Sequence, residues 1–286
     1  MRGFTSKVLL RGLWGFLAGL VLTVGVSMPP VWAAEPQSGT DPPATLGTPE
    51  PPPVVVELFT SESCGMCPPA DAFLIDLDQE PGVIALSYHV TLWNFLGWRD
   101  PLSHSRNTRR QKVYNRRLRG RSPFTPQMVL DGMVSEPGAR RDRIHDSITR
   151  LRDRRRGRFV PVDVALADGQ EPMVTVRIGR MPAEANAADH QHNTDNDGRV
   201  LLVAFRSHRN VVVRGGTNDG RRTDYINVVY AIRDLSAWSG DPLTLSTQVP
   251  LDEGHTPEGL AVLVQAARQG PILGARTLAL ADDAGR

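Results

Sequence analysis

Residues 54–78 read VVVELFTSESCGMCPPADAFLIDLD and carry the strongest structural signal in the chain. The first six are β-branched or apolar except for Glu57, a pattern that predicts a strand buried on both faces of a sheet. Polar residues 60–63 then turn the chain into a C-x-x-C motif formed by Cys64 and Cys67. The segment therefore predicts a strand followed by a cysteine-containing loop.

An amphipathic helix is predicted directly after the cysteines. Apolar residues recur there at helical spacing, at Ala70, Phe73, Leu74 and Leu77. We expect three acidic side chains to face solvent, those of Asp71, Asp76 and Asp78. Pro68 and Pro69 fit the first helical turn, whose N–H groups have no partner within the helix. Their position fixes the helix start beside the cysteines.

Strands and helices alternate up to residue 158. We predict a strand at 83–90, a helix opened by Asp100-Pro101 and ending near 118, short strands at 127–130 and 133–134, and a helix at 139–156. This order is that of an α/β thioredoxin-like domain, assigned to residues 54–158. Short alternating strands then predict a β-rich C-terminal domain or extension over 159–286.

The N-terminus has the pattern of a signal peptide. Basic residues precede an apolar run over 13–26, and Val31-Trp32-Ala33 suits cleavage, so residues 1–34 are predicted to be removed on export. Residues 35–53 are rich in Pro, Gly, Ser and Thr and predict a flexible linker. We therefore expect a periplasmic or secreted protein that meets the membrane only through its signal peptide. An uncleaved membrane anchor is the alternative, although the apolar run is shorter than the roughly 20 residues that a spanning helix needs.

The charge balance of the chain bears on whether it binds nucleic acid. The chain has 33 basic and 31 acidic residues, and three of the basic ones lie in the predicted signal peptide. The mature chain is thus near neutral, so no nucleic-acid partner is expected. Two Arg-rich runs, 106–121 and 140–158, are predicted to be solvated helix faces, with a surface for anionic lipid or peptidoglycan as the functional alternative.

The two cysteines are the only ones in the chain. A structural zinc site normally takes four protein ligands, so no metal site and no cofactor are expected here. A helix N-terminus lowers the pKa of a nearby thiol, which predicts Cys64 as the nucleophile and Cys67 as the resolving thiol. The expected partners are protein thiols or disulfides and a redox partner protein.

Two alternatives to this chemistry stay open. One is a non-catalytic envelope binding protein with an inert disulfide, although closing so short a loop restrains the unfolded chain little. The other is a periplasmic Cu(I) carrier, because thiolates, a thioether and an imidazole suit copper and Met66 and His89 could join the cysteines. His190 and His192, in a predicted surface loop, point only weakly to a metal.

Glu57 has two possible roles on the strand that leads to the cysteines. If its side chain faces the pair, burial raises its pKa and it accepts the proton of Cys67. If it faces outward, it is a charge at the edge of the sheet. The sequence leaves both open.

Several motifs resemble a known family. They are VVELFTS at 55–61, CGMCPPAD at 64–71, GWRDP at 97–101 and TPQMVLDG at 125–132, with further similarity at 214–218, 227–229 and 270–274. Together they are similar to the secreted bacterial thioredoxin-like family called domain of unknown function 1223. That resemblance implies a fold more than a reaction. Members of that family commonly carry acidic residues at the positions of Thr91 and Asn94. The resemblance therefore implies no role for acids at these two positions of this chain.

The resemblance also implies a substrate-binding element at Thr125 and Pro126. Thioredoxin-like proteins place a cis-proline opposite the active disulfide, where the backbone of its neighbour pairs with a bound peptide. An ordinary trans bond is the alternative, since trans X-Pro bonds are far commoner in folded proteins.

Overall fold

A long mixed sheet organises the chain. The computed structural model describes residues 51–167, 173–185, 198–251 and 257–280. The predicted signal peptide, most of the predicted linker, and His190 and His192 lie outside these residues. At the end of the predicted linker, Pro52 and Pro53 are already buried, because they precede the first strand directly.

The helices and strands follow in this order: β1 Val54–Thr60, α1 Pro68–Asp78, β2 Val83–His89, α2 Ser105–Arg117, β3 Gln127–Leu130, β4 Val134–Pro137, α3 Arg141–Arg155, β5 Val162–Ala167, β6 Met173–Ile178, β7 Gly198–Val212, β8 Arg222–Trp238, β9 Leu243–Gln248, β10 Gly259–Gln265 and β11 Ile272–Ala279. Short 3-10 turns lie at Thr91–Trp93 and Gly216–Asn218. No helix of the described ranges is long and apolar enough to span a bilayer.

Eight strands form the large sheet in the order β11-β10-β7-β8-β2-β1-β3-β4. β1 and β2 are parallel and joined by α1, while β3 runs antiparallel to β1. The long β7–β8 hairpin joins this core where β8 lies parallel to β2. The C-terminal strands therefore extend the sheet of the first half, so the predicted boundary near residue 158 does not divide the sheet.

The alternating side chains of β1 explain why both faces of the sheet are covered. Val54, Val56 and Leu58 pack with residues of α1 and α3. Val55 and Phe59 point to the other face and pack in a separate cluster. A three-stranded sheet, β5-β6-β9, shares a third apolar cluster with β7 and β10.

Two local predictions were wrong. Asp71 is buried within α1 rather than solvent-facing. The second helix begins at Ser105, not at Asp100-Pro101, and Asp100 is itself buried. In each case a polar interaction with another part of the chain outweighs the local preference of the acid for solvent or for a helix cap.

Candidate functional site

The two cysteines form a disulfide at the start of α1, with their Cα atoms 5.4 Å apart. Cys67 is the N-cap residue of the helix, and its carbonyl oxygen accepts the N–H groups of Ala70 and Asp71. Cys67 is fully buried, whereas Cys64 is 6% exposed. Cys64 is therefore the more exposed of the two cysteines, and its role as the nucleophile stays a prediction.

Thr125 and Pro126 lie beside the first turn of α1. Their peptide bond is cis, the form that the resemblance implies. Gly138 sits between this bond and the helix, since a Cβ atom there would lie 2.7 Å from the Ala70 side chain and 3.0 Å from that of Pro126. The indole N–H of Trp93 donates to Oγ1 of Thr125 at 2.6 Å.

Glu57 occupies neither of its predicted positions. It is fully buried, and its carboxylate accepts hydrogen bonds from Nε and Nη2 of Arg110, at 2.6 and 3.1 Å, and from the hydroxyl of Tyr114. Side chains alternate along β1, so Glu57 points away from the face that α1 covers. The structure does not bring it to the cysteines, and the charge of Arg110 compensates it.

The acid close to the disulfide is Asp71, which the sequence analysis placed in solvent. It lies one helical turn after Cys67, and Oγ1 of Thr60 donates to its Oδ1 at 2.7 Å. Its Oδ2 atom has no hydrogen-bond partner in the described part of the chain. Burial raises the pKa of Asp71 to about 7 despite the opposing hydrogen bond from Thr60. Asp71 can therefore exchange a proton near neutral pH.

The sequence did contain a signal for this placement. Residues 67, 70, 71 and 74 follow the i, i+3, i+4, i+7 spacing of a single helix face. Cys67, Ala70 and Leu74 are all buried, and Asp71 stands on the same stripe.

A second buried ion pair lies behind the cysteine loop. Nδ1 of His89 is 2.8 Å from Oδ2 of Asp100, and both residues are buried. Burial alone would lower the pKa of His89, but the charge and hydrogen bond of Asp100 raise it overall. Burial alone would raise the pKa of Asp100, but His89 lowers it overall. Each residue therefore favours the charged form of the other.

Asp100 also fixes the cysteine loop. Its Oδ2 atom accepts the backbone N–H of Glu62 at 3.0 Å. The side chain of Glu62 in turn accepts the indole N–H of Trp98 at 2.7 Å. Burial, and then the charge of Asp100, raise the pKa of Glu62. The loop before Cys64 is thus tied to the segment that follows β2.

The C-terminal half contributes directly to this loop through the turn of the β7–β8 hairpin. Nδ2 of Asn218 donates to the carbonyl oxygens of Glu62 and Cys64, at 2.8 and 2.9 Å. Next to it, Thr217 covers Gly65, where an added Cβ atom would lie 2.7 Å from the Thr217 methyl carbon. In the sequence, residues 214–218 stand out only as a segment of family resemblance, which does not reveal this contact.

The predicted copper ligands have different surroundings. Met66 is 72% exposed, whereas His89 is fully buried with one ring nitrogen held by Asp100. Across the four described ranges, no three side chains of the types His, Cys, Asp and Glu are grouped to hold a metal ion.

Comparison with known proteins identifies the family. The family model described as "Protein of unknown function (DUF1223)" matches residues 55–265, which include the disulfide, Asp71 and the Asn218 turn. The chain belongs to the DUF1223 family. No curated protein matches it.

Two solved structures are similar to this DUF1223 chain. One is a crystallised protein from Agrobacterium tumefaciens, 30% identical, with a TM-score of 0.64 over 82% of this chain and 96% of that one. The other is HBP35 of Porphyromonas gingivalis, 16% identical, with a TM-score of 0.54 over 82% and 78%. The second is a likeness of fold alone.

Proposed function

We propose that this DUF1223 chain is an exported thiol-disulfide exchange protein that acts through Cys64 and Cys67 on protein thiols or disulfides. Its scaffold is an α/β thioredoxin-like unit extended by C-terminal strands. Residues 1–34, with the pattern of a signal peptide, support export. The redox proposal rests on one observation: a disulfide at a helix N-terminus with a buried, half-paired acid, Asp71, one turn behind it.

Asp71 lies one helical turn after Cys67, where it can exchange a proton with that cysteine during disulfide exchange. A partner thiolate attacks Sγ of Cys64, the bond between Cys64 and Cys67 breaks, and Cys67 leaves as a thiolate. Protonated Asp71 gives its proton to that thiolate. In the reverse direction the Asp71 carboxylate takes the proton from the Cys67 thiol, which then attacks the mixed disulfide at Cys64 and releases the partner thiolate.

The surface around the disulfide supports a polypeptide substrate. Met66, between the cysteines, is 72% exposed, and Phe95 is 75% exposed. The ring centroid of Phe95 lies 6.2 Å from that of Trp93, which donates to Thr125 beside α1. Thr125 and Pro126 lie beside the first turn of α1 and are the proposed substrate contacts. Exposed apolar side chains next to a reactive site favour an apolar partner segment.

One observation favours a structural disulfide as the second candidate. Cys67 is fully buried and Cys64 is only 6% exposed, so an attacking thiol has limited access to the bond. In that case the chain is a non-catalytic envelope protein whose disulfide stays closed in its functional state.

Trapping of a mixed disulfide separates the two candidates. The Cys67→Ser variant should form a stable covalent adduct with a peptide disulfide through Cys64, seen as one added peptide by mass spectrometry. The matched Cys64→Ser variant should form at least about tenfold less adduct, because its remaining thiol is fully buried. Equal adduct on both variants, or none on either, contradicts the exchange proposal.

A further inference from the structure

A cavity lies away from the cysteines, on the face of the large sheet that α2 covers. Its volume is about 320 Å³, and it is open to solvent on one side and lined by α2 and strands of the C-terminal half. No residue of α1 or of the cysteine loop lines it. Val113, Leu201 and Ile232 give it apolar surface, and Arg106 and Arg109 are among its charged lining residues.

The charges around this cavity are not balanced. Arg110 is compensated by Glu57, and Arg199 pairs with Asp234 at 2.6 Å. Arg109 donates to the neutral hydroxyl of Ser105. Within the described ranges, neither Arg106 nor Arg109 forms an ion pair with a carboxylate.

The sequence explains this excess of positive charge. The segment 101–130, which contains α2, has no Asp or Glu. Arg106 and Arg109 are three residues apart on the helix and therefore neighbours on one face. Arg106 lies in the first turn, where the helix dipole adds positive potential. Two guanidinium groups without a carboxylate partner therefore line this cavity.

We propose that this cavity binds an amphiphilic anion. Its carboxylate or phosphate group lies against Arg106 and Arg109, whose planar guanidinium groups match the geometry of such anions. Its apolar body packs on Val113, Leu201 and Ile232. The cavity is near the lower limit of ligand-site volumes, which favours a body of medium length. The same chemistry occurs in a free medium-chain anion and at the end of an anionic lipid.

Calorimetric titration of the purified chain tests this proposal with three probes. Octanoate has both the charge and the apolar body, inorganic phosphate has only a charge, and octanol has only the body. We expect saturable binding of one octanoate per chain, and at least about tenfold weaker binding of the other two, because each lacks one half of the recognised chemistry.

Matched variants locate the site. The double variant Arg106→Gln with Arg109→Gln should bind octanoate at least about tenfold more weakly, since it loses the charge-assisted hydrogen bonds. The control, Arg116→Gln with Arg121→Gln, removes the same two charges from exposed positions outside the cavity and should leave the affinity unchanged. Val113→Ser should weaken octanoate binding without altering that of phosphate.

Vesicles distinguish the two sources of the ligand. Phosphatidylglycerol vesicles that displace octanoate from the chain, but not from the Arg106/Arg109 variant, identify a lipid as the source, and absence of displacement identifies a free anion. The proposal is overturned if octanoate does not saturate, if octanol binds equally well, or if the Arg116/Arg121 control loses as much affinity as the Arg106/Arg109 variant. These outcomes are independent of the disulfide chemistry.

Discussion

Asn218 donates a hydrogen bond to the carbonyl oxygen of Cys64 at 2.9 Å, although the two residues are 154 positions apart in the chain. The same amide nitrogen also binds the carbonyl oxygen of Glu62. The turn between β7 and β8 therefore holds the cysteine loop from the C-terminal half of the chain. The C-terminal half is part of the candidate site.

Replacing Asn218 should loosen this loop. Asn218→Ala removes one hydrogen bond from each of two backbone carbonyl groups, and that of Cys64 keeps only the N–H of Cys67, so we expect the free energy of unfolding to fall by about 1–3 kcal/mol. Cys64 in the reduced protein should also react faster with iodoacetamide. Asn210→Ala is the control, because Asn210 is exposed on the same hairpin and its loss should cost less than about 0.5 kcal/mol. Equal effects of the two variants in urea denaturation contradict the assigned role.

The raised pKa of Asp71 predicts a pH-dependent stability. The folded state favours the protonated form of Asp71. The contribution of Asp71 to the free energy of unfolding is therefore fully present below its ordinary pKa of 3.8 and is lost as the pH rises towards about 7. The difference between these values corresponds to about 4 kcal/mol. Asp71→Asn mimics the neutral acid and keeps an acceptor for Thr60. The oxidised variant should therefore be more stable than the wild type at pH 8.

Asp131 and Glu62 also have raised pKa values, but they contribute equally to the wild type and to Asp71→Asn. The difference between the pH profiles of unfolding of these two proteins therefore reports on Asp71. Disulfide exchange by Asp71→Asn should be slower and lose its inflection near pH 7, because the amide cannot carry a proton. The control is Asp76→Asn, at an exposed position of the same helix. If the free energies of unfolding of wild type and Asp71→Asn run parallel from pH 4 to 8, the raised pKa of Asp71 is contradicted.

Glu57 should matter for stability and not for exchange. Glu57→Gln leaves the buried charge of Arg110 without its partner, so we expect a loss of about 3–5 kcal/mol in the free energy of unfolding. Because Glu57 faces away from α1, the pH profile of disulfide exchange by the folded variant should match that of the wild type. A shift of its inflection would show that Glu57, rather than Asp71, exchanges the proton.

Local patterns made much of the fold predictable. β1 and α1 were expected at nearly their observed bounds, because a β-branched run and a helical spacing are properties of adjacent residues. The disulfide pair and the cis bond at Pro126 were also expected, the latter only through family resemblance. Each of these features depends on a short segment.

The parts of the site that were missed depend on distant contacts. Asp100 has the local pattern of a helix cap, but the imidazole of His89 binds it instead. The contact of Asn218 with the cysteine loop requires β8 to lie beside β2, a pairing that no local pattern specifies. The partner of Glu57, Arg110, comes from α2 across the sheet. The sequence therefore predicts the cysteine pair but not the distant residues that surround it.

The reduction potential of the Cys64–Cys67 couple tests the central claim most directly. The purified chain is equilibrated in glutathione or dithiothreitol buffers, and its alkylated thiols are counted by mass spectrometry. We predict a reversible couple between roughly −270 and −120 mV, the range of known exchange proteins, with Cys64 alkylated first. A potential below roughly −300 mV, with thiols that resist alkylation in the native state, is the mark of a structural disulfide and would contradict the account.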